Sequence, residues 1–134
     1  IAKIERKVAL DNFQGILEAA DAVMIARGDL GEEVAPEEIP FIEKDLIEKC
    51  EAVGRTVITA TQMMLSMTEH PAPTRAEVTD VSYAITEGSD VVMLSDETAN
   101  GKYPIEAVVA MEKIVRASER HLADKEIINP LTTI

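Results

Sequence analysis

Four short apolar runs each end in side chains able to do chemistry: Lys3 and Glu5 in "AKIE", Arg27, Gly28 and Asp29 in "ARGD", Thr59 and Thr61 in "TATQ", and Ser95, Asp96 and Glu97 in "LSDET". Residues two apart on an extended strand share a face. Lys3 and Glu5 therefore point one way, and Ala2 and Ile4 the other. Alone, such a pair reads equally as a strand-end ion pair. Asp29, at the end of the next run, is placed to lie beside Glu5. Two carboxylates about 4 Å apart repel by about 4 kcal/mol at an effective dielectric near 20, so a site holding both calls for a cation. Hard oxygen donors, no histidine among them and a single remote cysteine favour Mg2+ or Mn2+ over zinc. Mg2+ ordinarily takes one or two carboxylates and completes its shell with water and substrate oxygens. Gly28 lets the backbone approach a ligand closely, its N–H free to face an anion. Thr61, on the same strand face as Thr59, either offers a hydroxyl to that pocket or caps its own turn.

The elements that must hold these residues follow from the hydrophobic pattern. Ile1–Glu5, Ala22–Ala26, Thr56–Thr61 and Asp90–Leu94 read as strands, and the last three are nearly continuous in Val, Ile, Met, Thr and Ala, as parallel strands buried on both faces are. A helical pattern follows each. Phe13, Ile16, Leu17 and Ala20 form the first stripe, with Asp11 as its N-cap. Ile39, Ile42, Leu46, Cys50 and Val53 form the second, stopped by Gly54. Thr74 and Glu77 make a capping box for the third, which closes at Gly88. Pro104 opens the fourth, whose stripe is Ile105, Val108, Met111 and Val115. Strand starts at Ala22, Thr56 and Asp90 recur every 34 residues, the period of βα units. Right-handed crossovers make all four strands parallel. Two architectures fit, a small open doubly wound sheet or half of a (β/α)8 barrel, and in both the chemistry gathers at the carboxyl ends of the strands. Residues 123–134 lose the period and read as a linker or tail.

Composition excludes several classes. The formal charge of −12 disfavours nucleic-acid backbones and anionic membranes as partners. No run approaches the ~18 apolar residues of a membrane span. One cysteine, Cys50, cannot make an internal disulfide and sits within a helical stripe, so it reads as core in a reducing, cytoplasmic setting. His70 and His121 read as surface residues, and the Met63-Met64-Leu65-Met67 cluster as core or subunit interface. The start at Ile1, almost directly on a strand, reads as that of a fragment, natural or engineered, or of a processed product.

The stretches "AKIE", "VMIARGDLG", "VITATQMMLSM", "PAPTRAEVTDVSYAI" and "DVVMLSDETANGKYPIEAV" closely resemble the later part of the catalytic barrel of pyruvate kinases, in the same order and spacing, over residues 1–122. The resemblance implies four consecutive βα units, strands five to eight of a (β/α)8 TIM barrel, with 123–134 leading toward a C-terminal domain. It implies transfer of a phosphoryl group from phosphoenolpyruvate to ADP, giving pyruvate and ATP, in an enzyme that works as a homo-oligomer, a homotetramer for the parent. It further implies that Lys3 stabilises the charge of the transferring group and the enolate, and that Glu5 and Asp29 hold the divalent metal. The N–H groups of Gly28 and Asp29 would receive the substrate carboxylate, and Thr61 would lie near the carbon that is protonated. The K+ of the family's enzymes would be held by residues with no counterpart here. Arg27 carries over no chemical role beyond shaping its loop, and Arg75 matches a residue near a subunit contact. Asp96 stands where many relatives have glycine, and Asn100 where some have lysine. The second departure bears on any phosphate contact by that loop, although Lys102 is close.

The first four barrel strands, the lid and the C-terminal domain have no counterpart in these residues. The isolated chain is therefore expected to lack kinase activity and to self-associate through exposed strand edges. Two rival readings remain at this level: a Mg2+-dependent aldolase or lyase barrel acting on pyruvate-like acids, and a non-catalytic half-barrel assembly module.

Overall fold

The computed structural model describes the backbone of residues 1–128 and the side chains of residues 1–125. Four parallel strands, β1 (Ala2–Ile4), β2 (Ala22–Ala26), β3 (Thr56–Ala60) and β4 (Val91–Met93), form one sheet in the order β1-β2-β3-β4. The register pairs Lys3 with Met24, Ile25 with Thr59 and Ala60 with Met93. Sequential order, parallel strands and helical crossovers are those of an α/β sheet built from consecutive βα units. All carboxyl ends consequently open on one rim.

Behind β1 the helical stretch divides into α1 (Lys7–Asp11) and α2 (Phe13–Ala19). Asp11 is thus the last residue of α1 and not a cap. Asn12 occupies the N-cap position of α2, with its side-chain amide donating back to the Val8 carbonyl at 2.8 Å. After β2 come a single helical turn, α3 (Arg27–Leu30), a 3-10 turn at Pro36–Glu38, and α4 (Ile39–Ala52). Leu46, Ile47 and Cys50 of α4 are buried, whereas Val53, placed in the sequence stripe, is exposed. It falls outside because α4 ends at Ala52, and Gly54 then takes the left-handed conformation, φ 63°, that a side chain disfavours.

The box at α5 (Arg75–Thr86) forms as its sequence predicts: Thr74 Oγ1 accepts from the Glu77 N–H at 3.2 Å, and the Glu77 carboxylate accepts from the Thr74 N–H at 2.7 Å. Gly88, φ 106°, ends the turn that follows. A short α6 (Asp96–Ala99) precedes α7 (Pro104–Ile128). That last helix continues through 123–128, where the sequence pattern predicted a loss of period. The rest of the expected linker, 129–134, lies outside the described residues. Its inward face is also rotated from the predicted stripe. Ala107, Met111, Ile114 and Ser118 are buried, while Ile105 and Val108 are exposed.

Two hydrophobic clusters support the sheet. One joins Ile4, Val23, Ile25 and Val57 to α2 and α4, with Cys50 among its buried members. The other joins α5 and α7 around Met63, Met64 and Met67. The methionine cluster is therefore core, with Leu65 partly exposed at its edge. His70 and His121 are exposed, and among the described residues no helix is long and apolar enough to cross a membrane.

Candidate active site

Ile4 is fully buried against the helix layer, which turns its neighbours Lys3 and Glu5 to the opposite side of the sheet. There Lys3 Nζ meets Glu5 Oε2 at 2.7 Å, with the side chains 54% and 36% exposed. The hydrogen bond to Glu5 and its charge raise the Lys3 pKa, and the same bond lowers that of Glu5. The Asp29 carboxylate, one strand over, lies near enough to reinforce both shifts. An open ion pair of this kind contributes little to stability. Its effect is to fix Lys3 as a permanent cation beside two carboxylates.

Asp29 sits in α3, the single turn that begins immediately after β2. Gly28, one residue earlier, donates its N–H to Thr61 Oγ1 at 2.7 Å, and Thr61 donates that hydroxyl to the Ala60 carbonyl at 2.7 Å. A Cβ at Gly28 would stand 3.2 Å from Thr61 Oγ1, so the glycine makes room for the threonine. A ligand carboxylate reaching the Gly28 N–H would have to displace that hydroxyl. β3 ends at Ala60, and Thr61 and Gln62 adopt φ 66° and 54°. The strand alternation that would put Thr61 on the face of Thr59 therefore stops one residue short. Thr59 is buried and hydrogen-bonded to Ser89 at 2.9 Å, away from the site.

Arg27, the residue the sequence left without a role, is 7% exposed and ties four segments together. Its Nη1 and Nη2 grip the Asp80 carboxylate at 2.7 Å each, Nη1 reaches Glu43 Oε2 at 3.2 Å, and Nη2 reaches the Thr61 carbonyl at 3.2 Å and Met63 Sδ at 2.8 Å. Burial works against its charge, but the hydrogen bonds to Asp80 and the charges of Glu43 and Asp80 outweigh it and raise its pKa. Glu43 is only 2% exposed, and its Oε1 has no partner. Burial raises its pKa despite the Arg27 charge. Periodicity missed Glu43, a charged residue in a helical stripe, and nothing local to Asp80 marks it.

Glu97, marked by the sequence only as one of the polar residues of "LSDET", turns inward and not toward the rim. It is fully buried, its carboxylate accepting from the Met64 N–H at 3.0 Å and the Ser95 N–H at 2.8 Å, so it joins the loops that follow β3 and β4. The flagged pair Asp96 and Asn100 bond to each other, Asn100 Nδ2 donating to Asp96 Oδ1 at 3.1 Å. Lys102 is engaged by Glu69. Arg75 is exposed at the start of α5.

A cavity of about 420 Å³ adjoins Gly28, with Arg27, Gly31, Gln62 and Asp80 in its wall. A larger cavity, about 780 Å³, lies instead at the amino ends of β1 and β2 around Ile1, Gly15 and Asp21. No candidate residue lines it, and strand-end chemistry belongs to the other rim. Among the described residues no three His, Cys, Asp or Glu side chains gather as a metal cage. Glu5 and Asp29 supply two hard oxygen donors, which suits a Mg2+ completed by water and substrate.

Residues 1–108 match the pyruvate kinase barrel domain. The chain belongs to the pyruvate kinase family. It is 53% identical over 129 residues to the pyruvate kinase of Bacillus licheniformis, covering 96% of this chain and 22% of that protein. It is 56% identical over 121 residues to the pyruvate kinase of Thermococcus litoralis, covering 90% of this chain and 26% of that protein. A crystal structure of a pyruvate kinase from Cryptosporidium parvum matches with a TM-score of 0.87 at 48% identity, covering 88% of this chain and 24% of that one. The chain thus spans about a quarter of the length of these relatives. Its four parallel strands and their helices are part of the pyruvate kinase barrel domain.

Proposed function

We propose that this chain is strands five to eight of a pyruvate kinase (β/α)8 barrel, and that it supplies the metal- and enolate-binding side of a site that passes the phosphoryl group of phosphoenolpyruvate to ADP. The observation that carries the reading is the meeting of Lys3, Glu5 and Asp29 on the rim of adjacent strands, in a chain of this family. Phosphoryl transfer asks a protein chiefly for positioning and for charge where negative charge develops.

Lys3, its pKa raised, stays protonated at neutral pH and acts as a fixed positive charge toward the phosphoryl and enolate oxygens, not as a base. Glu5 and Asp29 would hold a Mg2+ or Mn2+, which when bound supplies further positive charge to the same oxygens. The amides of Gly28 and Asp29 receive the substrate carboxylate, with Thr61 releasing the Gly28 N–H as it arrives. Freed from that contact, the Thr61 hydroxyl is left beside the carbon that takes up a proton. K+ binding and the remaining grip on ADP belong to segments that these residues do not include, the parent works as a homo-oligomer, and the setting of the reaction is the cytoplasm.

The test is a graft: the 134 residues replace the matching segment of the Bacillus licheniformis enzyme, and ATP formation from phosphoenolpyruvate and ADP is measured with Mg2+ and K+. Turnover within about tenfold of the host is expected, and a folded graft without turnover refutes the reading. The isolated chain is expected to form no ATP and to run above monomer mass in light scattering. Turnover by it, or a monodisperse monomer, overturns the corresponding half of that expectation.

A further inference from the structure

Thr61 is a β-branched residue held at φ 66°, and Gln62 follows at φ 54°. Left-handed conformations are strained at residues that carry a side chain and persist where surrounding contacts over-determine them. Two contacts fix this turn from outside: the Gly28 N–H on Thr61 Oγ1 at 2.7 Å, and Arg27 Nη2 on the Thr61 carbonyl at 3.2 Å. Both come from consecutive residues of α3. The position of Arg27 therefore sets Thr61 and Gly28 together.

Arg27 is aimed in turn by α4 and α5. Asp80 takes the guanidinium in a two-pronged grip at 2.7 Å on each nitrogen, the geometry that gives arginine–carboxylate pairs directional stiffness. Glu43 adds a longer contact, 3.2 Å, on the nitrogen Asp80 already holds. Asp80 is 38% exposed, Glu43 2%. Of the two carboxylates, Asp80 has the shorter bonds and alone engages both nitrogens.

We propose that Asp80 is a positioning residue for the substrate-binding turn: through the Arg27 fork it holds the Thr61 carbonyl and keeps the Gly28 amide on Thr61 Oγ1, the closed arrangement that a substrate carboxylate opens at the proposed site. This rests on the assignment of Gly28 and Thr61 made above, but its test reads the turn and not turnover. A graft without turnover and a turn independent of Asp80 are separate results.

The experiment is amide hydrogen exchange by NMR on the full chain, comparing wild type with Asp80→Asn and Arg27→Lys. Asn at a partly exposed position leaves no buried orphan and keeps the fold. Lys keeps the positive charge and loses the fork. The internal control is the exchange of Ile25 and Val57 in the buried strands β2 and β3. In both variants the Gly28 amide is expected to exchange at least about tenfold faster, with Ile25 and Val57 within about threefold of wild type. Gly28 exchange within about threefold of wild type in Asp80→Asn overturns the proposal. So does acceleration of all three amides together, which would make Asp80 a contributor to general stability only.

Discussion

Replacing Glu77 by glutamine tests how the loop beyond Thr61 is held. The Glu77 carboxylate accepts from the Ser66 N–H at 2.8 Å, the Ser66 hydroxyl at 2.6 Å, the Thr74 N–H at 2.7 Å and the Thr74 hydroxyl at 3.1 Å. It therefore caps α5 and also pins the 3-10 turn Leu65–Thr68. A hydrogen bond to a charged group contributes about 1.5–3 kcal/mol net, and a neutral one about 0.5–1.5. Glutamine keeps one acceptor oxygen and turns an amide group toward donors. The loss is thus about 2 kcal/mol after discounting for the group's partial exposure. Burial alone would raise the Glu77 pKa, but the bonds from Ser66 and Thr74 outweigh it and lower it. A lowered folded-state pKa means stability present above the unfolded value, about 4.3, and lost as pH falls through the folded value. Urea denaturation should give a gap of about 2 kcal/mol between wild type and Glu77→Gln at pH 7, shrinking as the pH is lowered toward 3. A gap under about 0.5 kcal/mol at pH 7, or one that does not shrink on acidification, refutes the reasoning.

Gly28→Ala places a methyl 3.2 Å from Thr61 Oγ1. Overpacking of about 1–3 kcal/mol is partly offset by about 1 kcal/mol of helix propensity, so stability should change by no more than about 2 kcal/mol. Oxalate affinity of the Mg2+-loaded graft, measured by calorimetry, should meanwhile fall about tenfold or more. Glu43→Gln should show the opposite pH trend to Glu77→Gln. Burial raises the Glu43 pKa, so its favourable contribution is complete below about pH 4.3 and is lost as pH rises through the folded value. The variant should therefore melt no lower than wild type at pH 7, with any advantage vanishing toward pH 4. Adding Mn2+ to the graft should give a bound-ion EPR signal that Asp29→Asn weakens at least tenfold in affinity, because one of two carboxylate donors is lost. Unchanged affinity would remove Asp29 from the metal.

The rim was legible because strand runs and their polar ends are local features. β2 begins and ends where the pattern puts it, and Lys3, Glu5 and Asp29 converge as the two-residue alternation of β1 and the parallel order of β1 and β2 require. Helix faces were less legible. A count of apolar residues at helical spacing admits Ile105 and Val108, which the packed helix turns outward, and omits Glu43, which it turns inward. Charge in a stripe signals solvent unless a partner is known, and the partners of Glu43 are 16 and 37 residues away in sequence (Arg27 by bonding, Asp80 by charge). Thr61 shows a different limit. Its chemistry was visible, but the left-handed turn that removes it from the strand face depends on contacts from α3 that no local pattern carries.

Arg27 decides what the Arg-Gly-Asp tripeptide is. An exposed recognition loop needs its arginine in solvent, and this one is buried on Asp80, Glu43, Thr61 and Met63. The three residues divide the work by direction. Arg27 faces inward and locks α3 to α4, α5 and the end of β3. Gly28 has no side chain, and its amide meets Thr61 because nothing stands between them. Asp29 faces the rim beside Lys3 and Glu5. A turn with one end anchored in the core and the other presented at the strand ends can hold a carboxylate in place without being rigid in itself. That is why removing the anchor, and not the exposed aspartate, is the perturbation that should disorder the Gly28–Thr61 contact.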